Sequence, residues 1–305
     1  MQTEIIPLGT GAAIPVSDRH LPAMALIHDG HVLLFDCGEG TQFQLLRAGI
    51  KSLRIEAIFI THLHGDHYFG LLGLISTFTL LGRSTPLTLV GPAGIQTIMC
   101  AMPGFDQAHL PFELTYKELH EGFTREVVVE TEAYTVEARP IEHRIQAVGY
   151  RFQERSRPGR LDPDRARALG VADVKDFARL KAGKPVKLGG GHVVRPEEVV
   201  GPERRGVSFA YVTDTRPCAG GVELARGADL LYHEATFTSE LYERAIETGH
   251  STAIEAATVA REAGARRLLL GHFSARYTDP SVFIEEARTV FQNTEVAEEL
   301  KRYPI

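Results

Sequence analysis

The segment Ala57-Ile58-Phe59-Ile60-Thr61-His62-Leu63-His64-Gly65-Asp66-His67 constrains this chain more than any other. Four consecutive apolar residues read as a strand buried on both faces, the pattern of a sheet covered by helices. Three histidines and an aspartate follow within six residues. Side chains that leave a strand end are held by a rigid scaffold while they reach open space. Imidazoles with a carboxylate suit Zn2+, and Mn2+ or iron are also compatible. Alternating residues of so short a loop point to different sides, so these four ligands cannot close one tetrahedron. The pattern predicts two adjacent metal ions that share further ligands. Gly65 is expected to let the backbone turn tightly between them.

Further ligands are sought at later strand ends. His143 lies in Arg139-Pro140-Ile141-Glu142-His143. Asp214 follows the strand-like Phe209-Ala210-Tyr211-Val212, and His272 follows Leu268-Leu269-Leu270-Gly271. Taken singly, each is as readily an ordinary polar residue as a ligand. Asp214 has two oxygens and could bridge both metals.

The rest of the chain alternates strands and helices. Glu4–Leu8, Ala23–His28 and His31–Phe35 read as strands, the last two joined by an Asp29-Gly30 turn. Glu39–Ala48, with Phe43, Leu46 and Ile50 at helical spacing, reads as a helix ended by Gly49. Phe69–Leu81 reads as an interior helix and Leu87–Val90 as a strand. Residues 112–153 look β-rich, at Val127–Glu130, Tyr134–Ala138 and Ala147–Gln153. Later come strands at Val207–Val212, Asp229–His233 and Arg267–Leu270, and helices at Thr252–Ala263 and Pro280–Phe291. Between them, residues 144–187 hold eight Arg and four Lys against five acids, a net of +7. The whole chain carries −6, so the remainder carries −13. That segment is rich in glycine and breaks the alternation, as an insertion or arm would. The overall charge argues against nucleic-acid binding by bulk attraction, but not by a local patch.

The chain has 305 residues with 13 His and three widely spaced cysteines, Cys37, Cys100 and Cys218. This makes neither a disulfide framework nor a zinc knuckle, and suits a reducing cytoplasm. No apolar run reaches about 18 residues, so no membrane helix is expected. Met1-Gln2-Thr3-Glu4 lacks the start of a signal peptide.

His62-Leu63-His64-Gly65-Asp66-His67 resembles the HxHxDH signature of the metallo-β-lactamase superfamily. More narrowly, the chain resembles the ribonuclease Z family of tRNA 3′-end endonucleases, in its short form. Leu8-Gly9-Thr10-Gly11, Phe35-Asp36-Cys37-Gly38-Glu39-Gly40-Thr41-Gln42, His233-Glu234-Ala235-Thr236-Phe237, His250-Ser251-Thr252-Ala253 and Gly271-His272-Phe273-Ser274-Ala275-Arg276-Tyr277 carry the resemblance, in family order. It implies an α/β fold, an αββα sandwich spanning residues 1–305 as a single domain, with a protruding basic exosite arm inserted at about 154–190. It implies two Zn2+ per subunit, Mn2+ or another divalent ion being possible. One would take His62, His64 and His143, the other Asp66, His67 and His272, with Asp214 bridging.

The implied activity is removal of the 3′ trailer from precursor tRNA by a metal-bound hydroxide. Asp66 would orient the nucleophile or accept its proton, or serve as a ligand only. His250 would protonate the leaving 3′ oxygen, with Glu234 holding its other ring nitrogen. Without the resemblance, His250 and Glu234 read as a polar helix start and a strand end. Lys181 and Lys184 on the arm, and Arg19 in Pro15-Val16-Ser17-Asp18-Arg19-His20, would contact RNA phosphates. That loop is similar to the family's PxKxRN loop, with Ser17 for Lys and His20 for Asn. The resemblance also implies a cytoplasmic homodimer in which one subunit's arm serves the other. Two other readings are a hydrolase of the same fold acting on small phosphodiesters, arylsulfates, thioesters or lactones, and a metal- or RNA-binding module without catalysis.

Overall fold

The computed structural model describes residues 3–305; Met1 and Gln2, the first half of the N-terminal tetrapeptide, lie outside the described residues. In chain order the strands are β1 (Thr3–Gly9), β2 (Ala23–His28), β3 (His31–Phe35), β4 (Ile55–Phe59), β5 (Leu87–Pro92), β6 (Leu114–Leu119), β7 (Glu126–Glu130), β8 (Tyr134–Ile141) and β9 (Ala147–Glu154). They continue with β10 (Val186–Lys187), β11 (Val193–Val194), β12 (Ser208–Val212), β13 (Leu230–Glu234), β14 (Leu268–Gly271), β15 (Thr294–Val296) and β16 (Tyr303–Pro304). The chain forms two compact units.

The first unit comprises residues 1–131, 135–153 and 208–305. It holds two sheets, ordered β16-β1-β2-β3-β4-β5-β6 and β15-β14-β13-β12-β9-β8-β7. Alternation along the strands decides which side each residue faces. Ile6, Leu8, Ala25, Leu34, Ile58 and Leu89 join a core with Leu45 and with Leu71, Leu74, Ile75 and Phe78 of the helix Gly70–Leu80. On the other face, Phe35 stacks on Phe59 at 5.0 Å and meets Tyr150, Phe209 and Tyr211 of the second sheet. These rings are fully buried, and burial of each contributes roughly 1.5–3 kcal/mol. The outer face of the second sheet, through Ala210, Val212, Leu231, Leu268 and Leu270, packs on Leu224, Ala256, Ala260, Phe283 and Ala287. Those five lie on the helices Ala219–Ala225, Ala253–Ala263 and Ser281–Arg288. The layers are helix, sheet, sheet, helix, the αββα order that the resemblance implied.

Local sequence signals act as expected at several joints. Asp29 and Gly30 take φ of 50° and 87°, the left-handed pair of a tight hairpin between β2 and β3. Thr252 caps the helix Ala253–Ala263 through a reciprocal capping box with Glu255. Two readings of amphipathic faces need correction. The helix Thr41–Arg47 buries Gln44 and Leu45, while Phe43 and Leu46 are exposed. The expected helix Phe69–Leu81 is present as Gly70–Leu80, preceded by a short helix at Gly65–Tyr68, but Phe69, Leu80 and Leu81 at its ends face outward.

The second unit comprises residues 132–134 and 154–207. It has a core of its own in Ala166, Val171, Leu180, Val186, Val194 and Val199. Asp162 and Asp173 cap its helices Pro163–Ala168 and Val174–Lys181, and β10 pairs with β11. It carries 13 Arg and Lys against nine acids, a net of +4. Two cations of the basic run, Arg144 and Arg151, fall in the first unit instead.

Candidate metal centre

In the first unit, β3, β4 and β5 run parallel, as do β12, β13 and β14. Their carboxyl ends deliver Asp36, His62, Asp214, Glu234 and His272 to one edge of the sandwich, where open α/β sheets place their ligands. Asp36, Asp214 and His272 adopt φ of 56°, 48° and 58°. A non-glycine residue there costs on the order of 1–2 kcal/mol and is retained where the surroundings require the kink.

Three imidazoles converge first. His62 Nε2 lies 2.9 Å from His64 Nδ1, and His143 Nε2 lies 3.4 Å from the same atom. Asp214 joins this group, with Oδ2 3.6 Å from His62 Nε2. A second group holds Asp66, His67 and His272. Asp214 Oδ1 is 3.3 Å from His67 Nε2 and 3.1 Å from His272 Nε2, while Asp66 Oδ2 is 3.4 Å from His67 Nε2. Asp214 therefore turns one oxygen to each group. The seven residues singled out as ligands come together at this edge, and His250 forms a third group there with Asp214 and His272. Within the loop the conformation changes: His64 is extended, whereas Asp66 and His67 begin the helix Gly65–Tyr68. Gly65 makes no left-handed turn; a Cβ there would lie 2.2 Å from the ring of Phe69, an exposed side chain that would have to swing aside.

The surroundings fix each ring. Asp36 Oδ2 lies 2.8 Å from His67 Nδ1, and a carboxylate only accepts, so the proton sits on Nδ1. The lone pair on His67 Nε2 then faces two carboxylate oxygens. His67 Nε2 and His272 Nε2 are both buried without a hydrogen-bond partner. Lone pairs and carboxylates crowded in a dry pocket repel unless a cation stands between them. Burial alone would depress the pKa of His67, but Asp214 and Asp36 raise it well above the ordinary value, which expresses the same demand for positive charge. Burial pushes the pKa values of His62, His64 and His272 down, keeping those imidazoles neutral as ligands must be. Asp66 and Asp214 stay ionised despite burial, the first through His67 and the second through His272, His67 and His62. The residues fit a divalent metal site.

Beside the two groups, Glu234 Oε1 accepts from His250 Nδ1 at 2.9 Å. Burial opposes ionisation of both, yet each holds the other charged: Glu234 is lowered to about 2 and His250 raised to about 9. His250, His64, Asp66, His143, Asp214 and His272 line one cavity of about 490 Å³. Arg144 lines it too, a cation that the sequence reading had counted with the arm.

A beta-lactamase superfamily domain model matches residues 178–273, and a model described as anti-Pycsar protein Apyc1 matches residues 3–98. The ribonuclease Z of Salinibacter ruber is 56% identical over 306 residues, covering 100% of this chain and 95% of that protein. This chain belongs to the ribonuclease Z family. The ribonuclease Z of Methanosarcina acetivorans is 42% identical, covering 98% of this chain and 96% of that protein. Among solved structures, human tRNase Z, short form, aligns with a TM-score of 0.72 at 30% identity, covering 98% of each chain. The metallo-β-lactamase fold protein YhfI of Bacillus subtilis aligns at 0.69 and 18%, covering 100% of each, and shows the fold alone.

For this ribonuclease Z family member, the structure also places the expected RNA-contacting residues. Lys181 and Lys184 are exposed in the second unit. Arg19 is turned inward, 9% exposed, with Nη2 donating to the Tyr277 carbonyl at 2.6 Å. Its neighbour His20 contacts Glu299 at 2.7 Å and Arg47 at 3.2 Å. Sequence reasoning assigned no role to Asp36, Thr61 or Thr236. Thr61 N–H and Oγ donate to Asp36, and Thr236 Oγ links Glu234 to His272. The available signal was position: Asp36 and Thr61 end neighbouring parallel strands, as a ligand and its support would.

Proposed function

We propose that this chain is a divalent-metal endoribonuclease that removes the 3′ trailer from precursor tRNA. The observation that carries it is the pair of ligand groups sharing Asp214 beside the His250–Glu234 dyad, in a chain 56% identical to a ribonuclease Z. His62, His64 and His143 would hold one Zn2+, and Asp66, His67 and His272 the other, with Asp214 between them. Bound there, two such ions supply Lewis acidity, bringing water's ionisation toward neutral pH and neutralising the phosphate.

The side chains do the rest. Asp66 Oδ2 accepts the Ala13 N–H at 3.0 Å and remains ionised, so it orients the attacking water or takes its proton. Glu234 holds His250 Nδ1–H, which leaves Nε2–H to donate. Water oxygen bonds to phosphorus, the P–O3′ bond breaks, and the 3′ oxygen takes the His250 proton. The products are a 3′-hydroxyl on the tRNA and a 5′-phosphate on the trailer. Arg144, in the cavity wall, is suited to a phosphate oxygen.

Lys181 and Lys184 would grip RNA phosphates as part of a basic arm, giving salt-dependent affinity. A homodimer in the cytoplasm, with the arm of one subunit serving the other, completes the reading. Its support is four exposed apolar side chains, Phe43 and Leu46 on the helix Thr41–Arg47 and Leu80 and Leu81 at the end of Gly70–Leu80, of which Leu46 and Leu81 line one cavity, a surface suited to a second copy. Among the described residues no helix is long and apolar enough to cross a membrane.

The test is incubation with a precursor tRNA bearing a 3′ trailer and with a chromogenic phosphodiester, each with and without chelator. Chelator-sensitive cleavage beside the discriminator base is expected. Activity on the small ester alone would favour a small-molecule hydrolase, and activity on neither a binding module.

A further inference from the structure

Arg216 lies two residues beyond Asp214, with a half-buried side chain and no atom in the ligand groups. Its Nη1 donates to the His250 carbonyl at 2.5 Å and to Glu255 Oε2 at 2.9 Å, and its Nη2 pairs with Glu255 Oε1. The guanidinium sits over the Tyr242 ring at 5.6 Å. Glu255 is in turn the carboxylate of the capping box that starts the helix Ala253–Ala263. The backbone of this turn is tied as closely. Arg216 N–H donates to the Glu142 carbonyl at 2.8 Å, beside His143. Thr215 N–H donates to Glu234 Oε1 at 2.8 Å, and Ser251 Oγ donates to the Thr215 carbonyl at 2.6 Å.

We propose that Arg216 is a positioning residue for His250: its planar fork joins the His250 carbonyl to the Glu255 cap and so sets the imidazole against Glu234 and the cavity. The inference rests on the reading of His250 as the acid that protonates the 3′ oxygen. A flat, five-donor group can pair side-on with a carboxylate and still reach a carbonyl, which a single ammonium cannot do. Misplacement of a reacting group by about 1 Å can cost about 10²-fold in rate. Removal of the fork should therefore act on proton donation and not on metal or RNA binding.

The test compares two substrates. The 3′ oxygen of RNA needs a proton to leave, whereas p-nitrophenolate leaves without one, so bis(p-nitrophenyl) phosphate bypasses the acid. The variants are Arg216→Met, Arg216→Lys, His250→Ala and the double variant Arg216→Met/His250→Ala, each metal-loaded. Arg216→Met should lower kcat on the precursor by about 10²-fold with little change in KM or metal content. The loss on the ester should be at least tenfold smaller. Arg216→Lys, which keeps the charge, should recover only part of the loss and carries the test should Arg216→Met fail to fold. In the His250→Ala background the Arg216 change should add almost nothing on RNA. Equal losses on both substrates, loss of metal, or additive losses in the double variant would assign Arg216 a general structural role and overturn the proposal. Were His250→Ala itself to lose both substrates equally, the acid reading would fall and the proposal with it. Selective loss in His250→Ala without selective loss in Arg216→Met would overturn the proposal alone.

Discussion

Asp36→Asn is the sharpest perturbation of the centre that leaves every ligand in place. Asp36 is completely buried and accepts from Thr61 N–H at 2.8 Å, Thr61 Oγ at 3.0 Å, Tyr211 OH at 3.1 Å and His67 Nδ1 at 2.8 Å. Asparagine is isosteric and tolerates the left-handed φ of 56°, so the backbone is not disturbed. Its amide keeps one acceptor for Thr61 but turns an N–H2 toward His67 Nδ1 and Tyr211 OH. His67 must then carry its proton on Nε2, where it cannot ligate, or leave an N–H facing an N–H. Loss of such an outer partner typically costs 10–100-fold in metal affinity, about 1.4–2.7 kcal/mol. The buried donors left unpaired cost roughly 1–3 kcal/mol each in stability. Titration of the metal-free variant with Zn2+ against a chromogenic chelator should show one weakened site of two, and denaturation a lower midpoint. Two sites of unchanged affinity would refute the argument that Asp36 sets the tautomer of His67.

His250→Ala should lower turnover of precursor RNA by about 10²–10⁴-fold at unchanged metal content, measured by single-turnover cleavage and metal analysis. Lys181→Ala/Lys184→Ala should raise KM for RNA and reduce the slope of log affinity against log salt by up to about two phosphate contacts, leaving ester hydrolysis as it was. Leu46→Glu/Leu81→Glu should turn a dimer into a monomer by light scattering, since both exposed side chains line the same cavity. Cys37 is buried and its thiol is pushed up to about 12 by desolvation, whereas Cys100 is exposed. The thiolate fraction grows only as pH nears the pKa, so at pH 8 maleimide should label Cys100 and leave Cys37 until the protein unfolds.

What the sequence made legible follows from the range of each signal. β1 to β4 are declared by short apolar runs and a two-residue turn, and the helix after Thr252 lies within the range expected for it. The ligands at 62–67 announce themselves by density. The helices Ala219–Ala225 and Tyr242–Thr248 were missed because seven residues give barely two turns of periodicity, and their burial depends on distant partners. The orientation of Thr41–Arg47 was misread for a related reason. Gln44 is buried because its amide reaches the Leu8 carbonyl and Glu299, contacts 36 and 255 residues away. Asp36, Arg144 and Arg216 escaped assignment alike, since only the tertiary structure brings each of them to the centre. Arg19 shows the converse: its place in a recognisable loop suggested an outward cation, and the fold turns it onto Tyr277.

The most direct test of the central claim is end analysis of a precursor tRNA cut by the metal-loaded protein. A tRNA ending in a 3′-hydroxyl and a trailer beginning with a 5′-phosphate, formed only when metal is present, are the predicted products. Cleavage that persists after complete metal removal, or an intact precursor beside rapid turnover of a small ester, would contradict it.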